Sequence, residues 1–504
     1  MDHLKTTQER KNRWYARHIT PRFIPIRDVD PITITRNSTK SQSNQDGCCS
    51  YIDGIPFKAI SAQQEEGKDQ KLMEVYMKSH LKRHGFVVIT KALSIEECNH
   101  GLRLAWDYIE AASSAERYMM TMNNSTRNGD DTANDNQNRN NGHKYEHENT
   151  TDRNKDGEKK ILLLEKSPIQ RDDPFTYCNY IPRTVEGGIL PFYGSGHTSF
   201  MWFLRSHSSI QRIFASIHGI DIDTNANDVN LQENMLSSSL DGIIAWIEKR
   251  PATDSGWFHI DQNPISKPGF ESVQGLVNLL PTTEQTGGNV LVQKSHLLFP
   301  HHYIEDENDD YNDHNDKQER SSLFYKDRLR EVNGDDWLEI DPYDEELLDP
   351  TKVISCMLGP GDVLIWDSRL VHCSYPAARN THLEEVRKDG NEEESLGGNY
   401  GNNDIIHSMH EKHGLIRAAG LVNMIPKSRV GNQIRWQRVE AINRCRTLTH
   451  WVDKVAPLGD ERSEEALKEK MRIDFMKEWQ DAVSERRKVL LSFEDLTEEQ
   501  RQLL

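Results

Sequence analysis

The segment Ser255-Gly256-Trp257-Phe258-His259-Ile260-Asp261-Gln262-Asn263-Pro264 reads as a short aromatic strand that ends at a proline. It carries an imidazole and a carboxylate two residues apart. Side chains alternate faces along an extended strand, so His259 and Asp261 are expected to point the same way. Two such groups can share one metal ion.

Together they are two of the three ligands of a 2-His-1-carboxylate facial triad, which holds non-haem Fe(II) and leaves the opposite positions open. A His-x-Asp alone occurs by chance in a histidine-rich chain, so a third ligand has to come from elsewhere. The segment Val363-Leu364-Ile365-Trp366-Asp367-Ser368-Arg369-Leu370-Val371-His372-Cys373-Ser374 offers His372 on a late apolar strand. The period of two puts Leu370, His372 and Ser374 on one face, with a hydroxyl beside the expected metal.

Between and around these segments lies a train of short apolar runs: 273–280, 289–293, 352–358, 362–367, 370–375 and 415–424. Gly287-Gly288 and Gly359-Pro360-Gly361-Asp362 are the clearest turns between them. With Gly85-Phe86-Val87-Val88-Ile89 and Leu240 to Ile247 upstream, about eight strands are expected. No helices alternate with them, which favours a mainly β double-sheet jelly roll over a parallel α/β fold. Helices are expected at the flanks. Ser94-Ile95-Glu96-Glu97 reads as a capping box before a buried stripe of Cys98, Leu102, Ala105 and Ile109. Ile210, Ile213, Phe214 and Ile217 mark a second amphipathic helix, stopped by Gly219.

The chain has 504 residues, but polar inserts inflate its length. Residues 1–65 read as a mobile N-terminal arm and 66–455 as one catalytic domain. Asn-rich or acidic inserts are expected near 121–160, 304–320 and 384–413. Residues 456–504 read as a helical extension with an apolar stripe at Leu467, Met471, Phe475, Trp479 and Val483.

A formal net charge of −18 argues against nucleic acid and anionic membrane as partners. The seven cysteines form no Cys-x-x-Cys pair, which suggests reduced thiols and no zinc site. No apolar run at the start resembles a secretory signal and none elsewhere reaches the length of a membrane span, so an intracellular, cytoplasmic protein is expected. Arg10, Lys11, Arg13 and Arg17 leave an organelle transit segment open. Nucleotide binding has no support, since Gly194-Ser195-Gly196-His197 lacks the third glycine of a dinucleotide fingerprint. No Gly-x-Ser-x-Gly elbow points to a hydrolase.

Taken in order, the Gly-Phe-Val-Val-Ile strand, Trp257-Phe258-His259-Ile260-Asp261, Thr286-Gly287-Gly288-Asn289-Val290-Leu291-Val292, Lys294-Ser295-His296 and Gly361-Asp362-Val363-Leu364-Ile365-Trp366 with His372 resemble the phytanoyl-CoA dioxygenase family. The resemblance spans roughly residues 70–450. It implies a double-stranded β-helix, Fe(II) held by His259, Asp261 and His372, and 2-oxoglutarate and O2 as cosubstrates, with ascorbate as a reductant. It further implies hydroxylation of an unactivated C–H in a small molecule, with release of succinate and CO2. Halogenating relatives carry a small residue where Asp261 stands, so this chain resembles the hydroxylases.

The family also places an arginine at the start of its last core strand to pair with the distal carboxylate of 2-oxoglutarate. Arg417, in Ile416-Arg417-Ala418-Ala419-Gly420, fits that place, and a guanidinium can donate two parallel hydrogen bonds to a carboxylate. An insert makes the spacing from His372 unusually long, which leaves Arg379 as a competitor; Arg417 is preferred because it leads into an apolar strand. Ser374 matches a position that helps hold the same carboxylate, and Trp246 matches one that lines the cosubstrate. From another class, a catalytically silent jelly roll that binds partners through its inserts stays open. So do desaturation, epimerisation and ring formation as outcomes at the same iron.

Overall fold

The computed structural model describes residues 21–28, 51–57, 68–127, 168–179, 189–220, 236–247, 258–298, 337–375 and 414–458, apart from eleven positions within these spans. Fifteen strands lie among them, thirteen in one curled mixed sheet in the order β10-β7-β13-β9-β11-β1-β2-β3-β12-β8-β14-β6-β4. The first is β1 (Arg22–Asp28), followed by β2 (Ile52–Pro56), β3 (Phe86–Thr90), β4 (Ile189–Leu190), β5 (Leu236–Ser238) and β6 (Ile243–Ile247). Next come β7 (His259–Ile260), β8 (Val273–Asn278), β9 (Gly288–Val292), β10 (Leu338–Glu339) and β11 (Val353–Met357). The last four are β12 (Val363–Asp367), β13 (His372–Tyr375), β14 (Leu415–Val422) and β15 (Met424–Pro426).

The sheet folds into two facing halves. One holds β7, β9, β11 and β13 and the other β3, β6, β8, β12 and β14, so the chain from β7 onward winds between them. This is the jelly roll expected from the strand pattern. The hinge between the halves is β1, whose residues Arg22 to Pro25 run parallel to β11 while Ile26 to Asp28 run parallel to β2.

Alternation of side chains sorts the core into layers. Between the halves, Phe86, Val88, Ile244, Trp246, Leu276, Leu291, Leu364 and Trp366 form the interior. On the outer face of the larger half, Val87, Ile89, Ala245, Val277, Val363 and Ile365 pack against helices. Those helices are α1 (Lys68–His84), α2 (Ile95–Arg127), α3 (Ser199–Ser206) and α4 (Ser208–His218). The outer face of the smaller half buries Phe258, Ile260, Val290, Val292 and Val353 against Leu347 and Leu348.

The expected helix signals are present. Ser94 N–H donates to Glu97 Oε2 at 2.8 Å and Glu97 N–H to Ser94 Oγ at 3.2 Å, a reciprocal cap at the start of α2. Cys98, Leu102, Ala105 and Ile109 are completely buried. Burying Leu102 and Ile109 contributes roughly 1.5–3 kcal/mol each, more than the few tenths that separate helix propensities, so packing on the sheet is what holds α2. Gly219, at φ 66°, closes α4. After the sheet comes α5 (Asn432–Asn443).

Several expectations need correction. Arg22–Asp28 and Ile52–Pro56, inside the segment read as a mobile arm, are strands of the sheet. Their apolar residues are interrupted by Pro25, Arg27 and Asp28 in β1 and by Asp53, Gly54 and Pro56 in β2, which hides them as strands. The insert placed at 121–160 begins later, since α2 continues to Arg127. The strand expected from Leu240 to Ile247 is β6 and starts later, at Ile243; the turn at Ser239 to Gly242 joins it to β5, which pairs with β15 in a separate two-stranded sheet. The remaining inserts, Arg379 and the stripe from Leu467 to Val483 lie outside the described residues. Cys98, Cys356 and Cys373 are free and buried. No helix among the described residues is long and apolar enough to cross a membrane.

Two glycines separate backbone strain from steric conflict. Gly361 and Gly269 sit at φ 82° and 84°. A Cβ on Gly361 would lie 2.2 Å from the Leu93 carbonyl oxygen, whereas one on Gly269 meets nothing within 4 Å. Gly269→Ala is expected to cost only the left-handed backbone penalty, about 1–2 kcal/mol. Gly361→Ala should cost clearly more, because Gly361 O also accepts from Ala92 and Leu93. Urea denaturation of the two variants checks the order.

Candidate metal centre

In the antiparallel pairing of β13 with β7, His372 lies directly opposite His259. The two rings are 4.3 Å apart between centroids. Strand β7 ends at Ile260, so Asp261 stands one residue past the strand on which it was expected. Its N–H donates to Ser368 O at 2.9 Å, which ties the chain back towards β13 and keeps the carboxylate at the rings. Asp261 Oδ2 is 3.2 Å from His372 Nε2 and 3.7 Å from His259 Nε2. One ligand atom from each residue fits within a 4.8 Å cluster, the spacing of donors around a single ion.

Neighbouring groups orient these donors. His372 Nδ1–H donates to Leu370 O at 2.9 Å, which leaves the Nε2 lone pair for a metal. Gln274 Nε2–H donates to Asp261 Oδ2 at 2.6 Å. Burial alone would raise the Asp261 pKa, but the charges and hydrogen bonds of His259 and His372 outweigh it and hold the carboxyl well below its ordinary range. The site keeps its anionic ligand.

The three residues open into a cavity of about 490 Å³, a size suited to a small molecule. Ser374 lines it, and so does Asn289, its register partner on β9. Trp366 lines it as well, with its ring 5.4 Å from His372.

Arg417 and Trp246 are absent from the cavity lining but face each other in the interior layer, where the guanidinium lies 4.7 Å above the indole. A β-bulge puts it there. Leu415 pairs with Ile247 and Arg417 with Trp246, so β14 carries one extra residue, Ile416. Regular alternation would give Arg417 the same face as Leu415, which packs outward against the helices. Arg417 is 3% exposed, and burial lowers its pKa to about 10, so it stays cationic near neutrality.

Among the described residues, Arg417 Nε and Nη1 have no acceptor, nor do Trp246 Nε1, Trp366 Nε1 and Asn289 Nδ2. The interior thus holds a surplus of donors and one unneutralised cation. An anion with several oxygens would satisfy both, and unmet donors of this kind are costly otherwise.

Reading the sequence alone missed Gln274, Asn289, Asp241 and the segment Thr449 to Leu458, all of which contribute to the cavity. Gln274 and Asn289 left a signal, a lone amide inside an apolar strand. Thr449, His450 and Trp451 left none, since their segment has no regular period. Ala456 and Leu458 line the cavity although the domain boundary was placed at 455.

No protein-family model matches the chain. A curated protein, Ava biosynthesis cluster protein O of Aspergillus versicolor, is 28% identical over 211 residues, 42% of this chain. The match spans 59% of that relative's length. Similar solved structures include the epimerase SnoN with Fe3+, α-ketoglutarate and nogalamycin RO, at 12% identity over 70% of this chain and 83% of SnoN, with a TM-score of 0.32. EvdO2 from Micromonospora carbonacea var. aurantiaca, complexed with 2-oxoglutarate, is 13% identical over 70% of this chain and 91% of its own, with a TM-score of 0.26. At such scores the overlap is loose, and function has to be read from the site.

The hydrogen bond from Gln274 gives a test of the centre. Gln274→Leu should weaken Fe(II) affinity by about 10–100-fold, the usual effect of losing a ligand's supporting partner. His259→Ala should lose stoichiometric binding altogether. Anaerobic calorimetric titration with Fe(II) checks both.

Proposed function

We propose that the chain is an Fe(II)- and 2-oxoglutarate-dependent oxygenase of the phytanoyl-CoA dioxygenase type that hydroxylates an unactivated C–H of a small organic molecule. The observation that carries this reading is the convergence of His259, Asp261 and His372 in one cavity. Two imidazoles and one carboxylate suit ferrous iron with positions left open. The donor surplus fits the cosubstrate: we assign Arg417 to its distal carboxylate, and Ser374, which lines the cavity, to add a hydroxyl.

In this reading the bound iron and 2-oxoglutarate supply the O2-dependent oxidation, with succinate and CO2 as coproducts. The chain's own residues do the rest. His372 and Asp261 are held in a single orientation by Leu370 O and Gln274, which lowers the reorganisation needed when ligands arrive. Trp246 supports the Arg417 guanidinium from below, which restricts its search among rotamers. Apolar walls at Ile244, Leu276 and Leu421 keep water away from the reacting carbon. The full cation and ligand set weighs against a silent binding module, which needs neither.

An anaerobic titration with Fe(II) followed by 2-oxoglutarate should produce the weak visible charge-transfer band of the chelate in wild type. His259→Ala should lose the band. Arg417→Ala should retain Fe(II) but need much higher 2-oxoglutarate, at least about tenfold for a charged hydrogen-bonded pair. A folded wild type that holds metal yet gives no band would overturn the cosubstrate assignment.

A further inference from the structure

We propose that Asp241 is the substrate anchor of the cavity and that the guest is a largely apolar, ring-containing small molecule presenting a hydrogen-bond donor, a hydroxyl or a protonated nitrogen, to that carboxylate. The proposal rests on the reading of the same cavity as an oxidation site. Asp241 belongs to the turn between β5 and β6 and to neither metal-bearing strand, yet it lines the cavity with His259, Asp261 and His372. It is 3% exposed.

The turn is built to hold one carboxylate in place. Ser239 Oγ–H donates to Asp241 Oδ2 at 2.9 Å and accepts from Asn423 N–H at 2.9 Å, so the hydroxyl proton is committed to Asp241. Below it, Arg205 donates to Gly196 O and to Asp241 O, and Arg438 donates to Ser238 O. These guanidinia fix the turn through main-chain oxygens. Among the described residues the carboxylate accepts one side-chain hydrogen bond, from Ser239, which leaves acceptor capacity for a guest in the cavity that Asp241 lines. Burial raises the Asp241 pKa to about 7, outweighing the opposing pull of the Arg205 charge, the Ser239 hydrogen bond and the Arg438 charge.

The remaining walls indicate what else the guest carries. Trp337, Trp366 and Trp451 line the cavity among aliphatic side chains. Flat aromatic faces suit rings and tolerate a cation against them. Trp451 is braced by Lys267, whose Nζ lies 3.2 Å from the ring centroid. Its segment is fastened beside the Asp241 turn by Leu448 N–H donating to Leu240 O at 2.9 Å. Anchor and aromatic wall are therefore one connected unit. The competing design is selection of an anion by Lys454, which also reaches the lining.

The test uses the full chain and four probes with one indole ring: 3-ethylindole, tryptophol, tryptamine and indole-3-acetate. Their affinities near neutral pH are compared by ligand-observed NMR titration. Wild type should bind tryptophol or tryptamine about tenfold more tightly than 3-ethylindole, as expected for a hydrogen bond to a charged group, and indole-3-acetate most weakly. Tryptamine leading identifies a protonated nitrogen, and tryptophol leading identifies a hydroxyl. Asp241→Asn should erase the tryptamine advantage and Asp241→Ala both advantages, with 3-ethylindole unchanged. Indole-3-acetate leading, or a flat ranking in wild type, overturns the proposal even if neither variant folds. The Fe(II)–2-oxoglutarate band, recorded on the same samples, keeps the two readings apart. A normal band with a flat ranking removes the anchor alone, and the expected ranking without a band removes the oxidation reading alone.

Discussion

One antiparallel register holds the centre together, the pairing that sets His372 of β13 opposite His259 of β7. Strand β7 is only two residues long and cannot specify a register by its own side chains. Neighbours supply that specification. On its other edge β13 pairs with β9, with Ser374 opposite Asn289. Just before the strand, Val371 N–H donates to Ser295 Oγ at 2.8 Å and Val371 O accepts from Val292 at 2.9 Å. A slip of one residue would turn His372 out of the interior and break all of these bonds together. The Lys294-Ser295-His296 motif thus contributes geometry rather than chemistry, and His296 Nε2 pairs with Lys82 O at 3.0 Å to hold that corner against α1.

Burial explains how an interior rich in donors coexists with a stable core. The interior layer is apolar at Val88, Leu276, Leu291 and Leu364, and polar groups enter it at defined points such as the bulge at Ile416 and the amides of Gln274 and Asn289. Each entry carries a desolvation cost that a regular strand would avoid. The fold concentrates these costs around one cavity, where the binding of an ion or a small molecule would offset them.

Much of this was legible from sequence because the chemistry uses short-range patterns. The alternation around His372 identified its face, and the capping box at Ser94 and Glu97 identified a helix start. Asp261 joins the cluster with His259 and His372 although it lies beyond its strand, because the backbone bond to Ser368 preserves the geometry that alternation had implied. What could not be read is non-local. The strands β1 and β2 gain their place from pairing with β11 and β3, not from their own mixed residues. The face of Arg417 depends on a bulge that only the register with β6 reveals. The Asp241 turn and the Thr449 to Leu458 wall meet through a contact between distant parts of the chain.

This division has a physical cause. Metal ligands must be fixed to within fractions of an ångström, so they sit on paired strands or one residue from them, where backbone hydrogen bonds restrict motion. Recognition of a guest tolerates more variation and can be assigned to turns and terminal segments, where side chains change without disturbing a register. Asp241 combines the two. It lies on a turn, yet Ser239, Arg205 and Arg438 hold it as firmly as a strand residue. A turn residue merely filling space would not require two buried guanidinia beneath it, nor a serine whose proton is directed at its carboxylate. The investment in fixing that one oxygen pair makes sense when something arriving in the cavity must find it in place.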